Sequence, residues 1–388
     1  MNDFVFSVPT AIYFGKGQVE KLGGIVQQYG SRALLVYGGG SIKRSGLYDK
    51  VLGQLKKNFV SVTELAGVEP NPKIASVREG VRLCRENKVD VVLAVGGGSS
   101  IDCAKVVAAG ACYDGDPWDL VTEPARIQKA LPLVTVLTMA ATGSEMNHNA
   151  VITNPETHEK LGTAGQALKP RASILDPELT FTVPKRQTAA GTADIMSHTF
   201  ENYFTGVKGA FLQARFAEGI LRTCIQYGPA ALKRPDDYEA RANLMWASSH
   251  AINGLLSCGA EVAWSVHPME HELSAFYDIT HGVGLAILTP NWMKYVLSDS
   301  TVGKFAEYGV NVWGIDANQA PLLTAQQAIE KTRAFFTASL GLPSTLREVG
   351  IGEENLKVMA EHAASHGLEH AFVPLRADDV LKIYRASL

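Results

Sequence analysis

Asp194 and His198 stand four residues apart in GTADIMSHTF, so a helix through this stretch carries both side chains on one face, about one turn apart. Three further histidines, His267, His271 and His281, fall within 15 residues of one another in HPMEHELSAFYDITHG, in a chain that has ten histidines in all. Three imidazoles and a carboxylate form a nitrogen and oxygen donor set suited to zinc or ferrous iron. The five cysteines (Cys84, Cys103, Cys112, Cys224, Cys258) are odd in number and contain no CxxC pair, which argues against both a disulfide framework and a thiolate zinc site. Four histidines compete for three places. His267 and His271 share a helical face, while His281 is expected to begin a glycine-containing turn, and spacing alone leaves open which imidazole is spare. Pro268 disfavours helical geometry at His267 and would kink an interior helix, so the helix should start or bend there. His148, His158, His250, His362, His366 and His370 read as capped or surface side chains.

A second set of residues suits a phosphate-bearing ligand. In VDVVLAVGGGSSIDCAK an apolar strand runs into Gly96, Gly97, Gly98 and Ser99, and helical spacing begins at about Ser100. Glycines allow close backbone approach, and the free N–H groups of a first helical turn favour a pyrophosphate. The pattern is neither GxGxxG nor a Walker motif. A similar loop, Gly38-Gly39-Gly40-Ser41, follows an earlier strand, and a third, Ala141-Thr142-Gly143-Ser144, follows a later one. An NAD-selective site usually places a carboxylate on the adenosine ribose, whereas a 2′-phosphate needs donors and positive charge. Gly39, Ser41, Lys43 and Arg44 stand where that carboxylate could have been, which favours NADP(H).

These residues need elements to hold them. The first half alternates short β-branched runs (Ala33 to Tyr37, Phe59 to Leu65, Val89 to Val95, Leu133 to Thr138, Ala172 to Leu175) with helix-like stretches, the pattern of an open parallel sheet covered by helices. Ligands of such sheets bind outside the carboxyl ends of the strands, so the three small-residue loops point to one shared cleft. After Val183-Pro184 the strand signal stops, and helices of ordinary length follow, among them runs from Asp236-Asp237 through Ala251, Thr324 to Leu340 and Gly352 to His366. The expected organisation is an α/β dinucleotide-binding domain over 1–184 and an all-α metal-binding domain over 185–388, with the active site in the cleft between them.

Composition removes several function classes. The 388 residues are 46% hydrophobic and 19% charged, ordinary for a folded soluble protein and too long for one small fold. A net charge of −3 without single-sign runs leaves no footprint for nucleic acid or an anionic membrane. No apolar run approaches the length of a membrane span. The N-terminus MNDFVFSVPTAIYFGKG lacks the parts of a secretory signal, so a cytoplasmic location is expected.

Taken in chain order, PTAIYFGKG, YGGGSIKRSG, GVEPNP, LAVGGGSSIDCAK, TMAATGSEMN, LDPELTFTVP and the histidine cluster resemble the iron-containing, group III alcohol dehydrogenases. Within them, the likeness is to the bacterial NADPH-dependent aldehyde reductases and butanol dehydrogenases, and it extends over essentially the whole chain. The resemblance implies that Asp194, His198, His267 and His281 bind one divalent metal (Fe2+ or Zn2+), with His271 uncoordinated beside the nicotinamide. It implies a pyrophosphate loop at Gly96, Gly97, Gly98 and Ser99, Asp102 near the nicotinamide end, and Thr138, Thr142 and Ser144 lining the cofactor. Gly39, Ser41 and Lys160 match positions that contact the adenosine 2′-phosphate, and Gly40 beside them is implied to be cofactor-binding. A homodimer is also implied by relatives.

The expected chemistry is hydride transfer between NADP(H) and a short- to medium-chain aldehyde or primary alcohol, with the metal stabilising the developing alkoxide. His271, or water that it orients, is the candidate proton donor. A lyase or synthase resembling dehydroquinate synthase would need a strongly basic pocket, whereas Trp264, Met269, Phe276 and Tyr277 near the cluster suit an apolar carbonyl substrate. A non-catalytic nucleotide- or metal-binding protein would bind without turnover.

Overall fold

The computed structural model describes residues 1–388, and the chain divides into two compact units. One comprises Ser7–Val183 with Pro235–Ser249, the other Met1–Phe6, Pro184–Arg234 and His250–Leu388.

The first unit is built on a six-stranded, all-parallel sheet. Its strands are β1 (Ala11–Phe14), β2 (Arg32–Gly38), β3 (Ser61–Val68), β4 (Val91–Gly96), β5 (Leu133–Leu137) and β8 (Ala172–Leu175), while β6 (Asn149–Asn154) and β7 (Glu159–Ala164) form a separate antiparallel hairpin. β4 is buried along its whole length. Val91, Leu93 and Val95 enter one core with Leu35, Val51 and Ile174, and Val92 and Ala94 enter the other with Val77, Ile101 and Leu137. A strand buried on both faces has no polar side to show, which is why this run reads as continuously apolar.

The spatial order β1-β8-β5-β4-β2-β3 contains a change of direction. From β2 the chain steps outward to β3, then returns past β2 to β4 and proceeds to β5. The loops that follow β2, β4 and β5 therefore leave three adjacent strands at their carboxyl ends, at the place where open α/β sheets bind ligands. Those are the three small-residue loops of the sequence. The short edge strand β1 and the β6–β7 hairpin are absent from the sequence reading. The hairpin's five-residue-spaced turn is marked only by Asn154, whose Oδ1 accepts the Glu156 N–H at 3.2 Å, and by His158 at φ 53°.

The second unit is helical. The Lys185–Tyr203 helix is buried on every side from Thr188 onward and packs against the Phe211–Lys233 and His281–Val296 helices. The Tyr238–Ala251 helix begins just after Asp236-Asp237, as expected, with Asp237 Oδ1 accepting the Ala240 N–H at 3.1 Å. Residues 235–249 of this segment cluster with the sheet unit. There Trp246 sets its edge against Phe14 with ring centroids 5.7 Å apart. No helix is long and apolar enough to cross a membrane.

Candidate active site

The helical unit brings four of the predicted side chains to one point. Asp194 Oδ1 lies 3.5 Å from His198 Nδ1, 4.0 Å from His267 Nε2 and 3.7 Å from His281 Nε2. Asp194 and His198 share a face of the Lys185–Tyr203 helix, as their spacing requires. His267 is the first residue of the His267–Tyr277 helix, so Pro268 sits in the first turn, where its missing N–H costs nothing. His281 also opens a helix, His281–Val296, and not the turn expected from the neighbouring glycine. That glycine has a packing role: a Cβ on Gly282 would lie 2.0 Å from the Ala190 carbonyl oxygen. Only a bare backbone lets the start of this helix come close enough to the Asp194 helix to bring His281 to the carboxylate.

Two buried carboxylates that the sequence reading did not single out orient the rings. Glu201 Oε1 accepts from His267 Nδ1 at 3.0 Å and from the N–H groups of Val266 and His267 at 2.9 and 3.0 Å, while Oε2 accepts from Ser265 N–H at 2.7 Å. One carboxylate thus fixes the His267 ring and caps the positive end of its helix. Glu270 Oε2 meets His281 Nδ1, and its Oε1 accepts the Ser274 hydroxyl at 2.6 Å. In both histidines Nδ1 is engaged by a carboxylate, which leaves Nε2 as the nitrogen that carries the lone pair, within 4.0 Å of Asp194 Oδ1. Glu201 lies seven residues after Asp194, and the i, i+4, i+7 series Asp194, His198, Glu201 was the available sequence signal.

The donor set fits a divalent metal. His198 Nδ1 and His267 Nε2 are buried without a hydrogen-bond partner, an arrangement that costs free energy unless another group meets them. Burial, reinforced by the nearby His267 and His281 rings, pushes the His198 pKa well below its ordinary value, so the ring stays neutral and can donate a lone pair. His271 lies alongside, with its ring centroid 6.2 Å from His267 and 5.7 Å from His281. It also belongs to a second close grouping with Glu270 and His281. Of the four apolar residues singled out near the cluster, Trp264 meets one of its histidines, with its ring 5.1 Å from His267. Met269 is fully buried, Phe276 faces His362, and the Tyr277 hydroxyl accepts from Asn355.

In the sheet unit the glycine loops form a cradle. The Gly98–Gly110 helix starts directly after β4, and no side chain caps its N-terminus at Gly97, so the first-turn N–H groups, Ser99 included, are available to an anion. A Cβ on Gly98 would lie 2.4 Å from the Thr142 side chain, so this glycine permits the second loop to pack against the helix start. Thr138 N–H donates to the Gly96 carbonyl at 3.0 Å, tying the β5 end to the β4 end. A Cβ on Gly39 meets nothing within 4 Å, and Gly40 adopts φ 94° to turn the chain into Ser41. Lys43 Nζ lies over the rings of Tyr37 and Tyr48 at 5.2 and 4.6 Å, and both tyrosine hydroxyls donate to Glu64. Lys160 is buried in β7 opposite Thr153. Asp102 is committed inward: it accepts from the Ser144 hydroxyl at 2.5 Å and from Val151 N–H at 3.0 Å.

Comparison with known proteins identifies the family. Residues 9–177 match the iron-containing alcohol dehydrogenase family, and residues 188–388 match the C-terminal part of the same family. The chain is 60% identical to NADH-dependent butanol dehydrogenase A of Clostridium acetobutylicum over all of both chains. It is 40% identical to the NADPH-dependent aldehyde reductase YqhD of Escherichia coli over 95% of this chain and 94% of the relative. The crystal structure of the NADH-dependent butanol dehydrogenase A of Thermotoga maritima superposes with a TM-score of 0.95 at 40% identity, covering 100% of this chain and 99% of that one. The chain belongs to the iron-containing alcohol dehydrogenase family, which implies a divalent metal and a nicotinamide cofactor, and it is an oxidoreductase of alcohols and aldehydes.

Proposed function

We propose that the protein interconverts short- to medium-chain aldehydes and primary alcohols with NADP(H), using one Fe2+ or Zn2+ held by Asp194, His198, His267 and His281. The observation that carries the metal assignment is the convergence of three imidazoles on Asp194 Oδ1, two of them with buried nitrogens that no hydrogen bond meets. When bound, the metal supplies Lewis acidity at the carbonyl oxygen and the nicotinamide supplies the hydride for the carbonyl carbon. Glu201 and Glu270 keep the His267 and His281 rings in the orientation that presents Nε2. His271, beside the cluster but outside the four-residue set, supplies or relays the proton that completes the alcohol, a task suited to an imidazole near neutral pH. Trp264 offers an apolar surface beside His267, in keeping with an alkyl-chain substrate.

The loops after β2, β4 and β5 would hold the cofactor, Gly96, Gly97, Gly98 and Ser99 receiving the pyrophosphate and Thr138, Thr142 and Ser144 the nicotinamide half. The preference for NADP(H) is supported by the open space at Gly39 and by the absence of any carboxylate from residues 38–44, with Ser41 and Lys160 as contacts to a 2′-phosphate. A second reading, preference for NADH, is favoured by the butanol dehydrogenases at 60% and 59% identity, both named NADH-dependent, and by the engagement of Lys43 with Tyr37, Tyr48 and Glu64. Steady-state rates with butanal and each cofactor decide between them. A higher kcat/KM for NADPH, reduced selectively by Gly39→Asp, supports the first reading, and equal or higher efficiency with NADH overturns it.

A further inference from the structure

Asp102 and Lys105, one turn apart on the Gly98–Gly110 helix, both reach into the segment between β5 and β6. Lys105 is fully buried, and its Nζ donates to Asn147 Oδ1 at 2.8 Å and to the Asn149 carbonyl at 2.7 Å. Asn147 passes this hold back along the loop, because its Nδ2 donates to the Gly143 carbonyl at 3.0 Å and its Oδ1 accepts the Asn149 N–H at 2.9 Å. Asp102 grips the same segment through Ser144 and Val151. A buried ammonium is costly, and a methionine of similar volume would fill the space without the desolvation penalty. What the charge achieves here is a fixed path for residues 142–151.

We infer that Lys105 is the positioning residue of the cofactor loop: by holding Asn147 and Asn149 it fixes Thr142 and Ser144 against the start of the Gly98 helix, where the nicotinamide half of the cofactor binds. The inference rests on the assignment of Thr142 and Ser144 as cofactor contacts made above. Lys105 is not a catalytic residue, since it touches the loop and not the reacting atoms.

The charged groups that bear on Lys105 are Asp102 on its own helix, Glu145 in the loop and His148 beyond it, while Lys160 on β7 acts on Asp102. Burial pushes the Lys105 pKa down to about 8 against the opposing pull of Asp102 and Glu145, and burial pushes both carboxyls up. These groups titrate as one coupled set. Raising the pH through about 8 removes a proton from it and leaves more negative charge beneath a loop that must receive an anionic cofactor. Cofactor binding should therefore weaken on the alkaline side.

The test is equilibrium titration of the metal-loaded protein with NADPH and with NADH, followed by cofactor fluorescence between pH 6 and 9.5, on the unmodified protein, Lys105→Met and Thr142→Val. Hydrogen bonds to charged groups carry enough free energy that Lys105→Met should raise the cofactor Kd about 10- to 100-fold at neutral pH. Metal content should be unchanged, kcat at saturating cofactor should change far less than Kd, and the alkaline weakening seen in the unmodified protein should disappear. If Thr142→Val weakens binding and Lys105→Met does not, the role of Lys105 is overturned while the cofactor site stands. If neither variant weakens binding, the placement of the cofactor on this loop fails, and the inference with it. Should Lys105→Met not fold, Asn147→Ala, which removes the side chain through which Lys105 holds the loop, should raise the cofactor Kd in the same way, and an unchanged Kd in that variant overturns the inference.

Discussion

Glu201 Oε1 lies 3.0 Å from Nδ1 of His267, and the same carboxylate receives three consecutive backbone N–H groups, those of Ser265, Val266 and His267. The group that sets the ring orientation is thus the group that starts the helix carrying the ring. Orientation of a metal-ligating imidazole by a buried carboxylate is worth roughly 10- to 100-fold in metal affinity. Glu201→Gln, which keeps the shape and removes the charge, should weaken metal binding by about that factor. Metal titration of the apoprotein against a competing chelator measures it, and an unchanged affinity would show that Glu201 serves the helix start alone.

Gly282 makes a second, steric claim. Its Cβ position falls 2.0 Å from the Ala190 carbonyl oxygen, one turn before Asp194. Gly282→Ala should push the start of the His281 helix away, at a stability cost of about 1–3 kcal/mol for overpacking, and should lower metal occupancy because His281 travels with it. Thermal unfolding and elemental analysis of the purified variant test both parts. Full occupancy at an unchanged Tm would mean that the two helices have room to spare.

Gly98 makes the corresponding claim for the sheet unit. A Cβ there would meet the Thr142 side chain at 2.4 Å, so Gly98→Ala should displace the Thr142 loop and weaken cofactor binding. The proposed metal ligands lie in the helical unit, and metal content should not change. Loss of metal together with cofactor affinity would refute this separation of roles.

His271 stands beside the centre without belonging to its four converging groups. His271→Ala should retain metal and lose turnover by about 10²-fold or less, the low end of general acid–base assistance, because water can take the place of the ring. If His271→Ala is isolated without metal while His267→Ala keeps it, the two histidines have exchanged roles.

Much of this was legible in the chain. Strand periodicity placed the glycine loops, and the strand order then made them neighbours at a point of reversal that no local pattern encodes. Asp194 and the histidine cluster were readable as a donor set because ligand chemistry is carried by residue type and short spacing, but the spacing left open which imidazole is spare, and the choice of His198, His267 and His281 came from the family resemblance. Glu201 and Glu270 were not, since a buried carboxylate looks like any surface glutamate until the fold removes its water. The role of Gly282 was invisible for a related reason: the atom that it makes room for belongs to Ala190, far away in sequence. Pro268 was informative because its effect is local, and it marked the helix start where it stands.

The proposed chemistry depends on one divalent metal held by Asp194, His198, His267 and His281. The most direct measurement is to strip the protein of metal with a chelator and restore Fe2+ or Zn2+ stepwise while following nicotinamide oxidation with butanal. No turnover is expected without metal, then a linear rise to a plateau at one equivalent per chain, and no recovery at any stoichiometry in His198→Ala. Full activity in metal-free protein, or full recovery in the His198 variant, would contradict it.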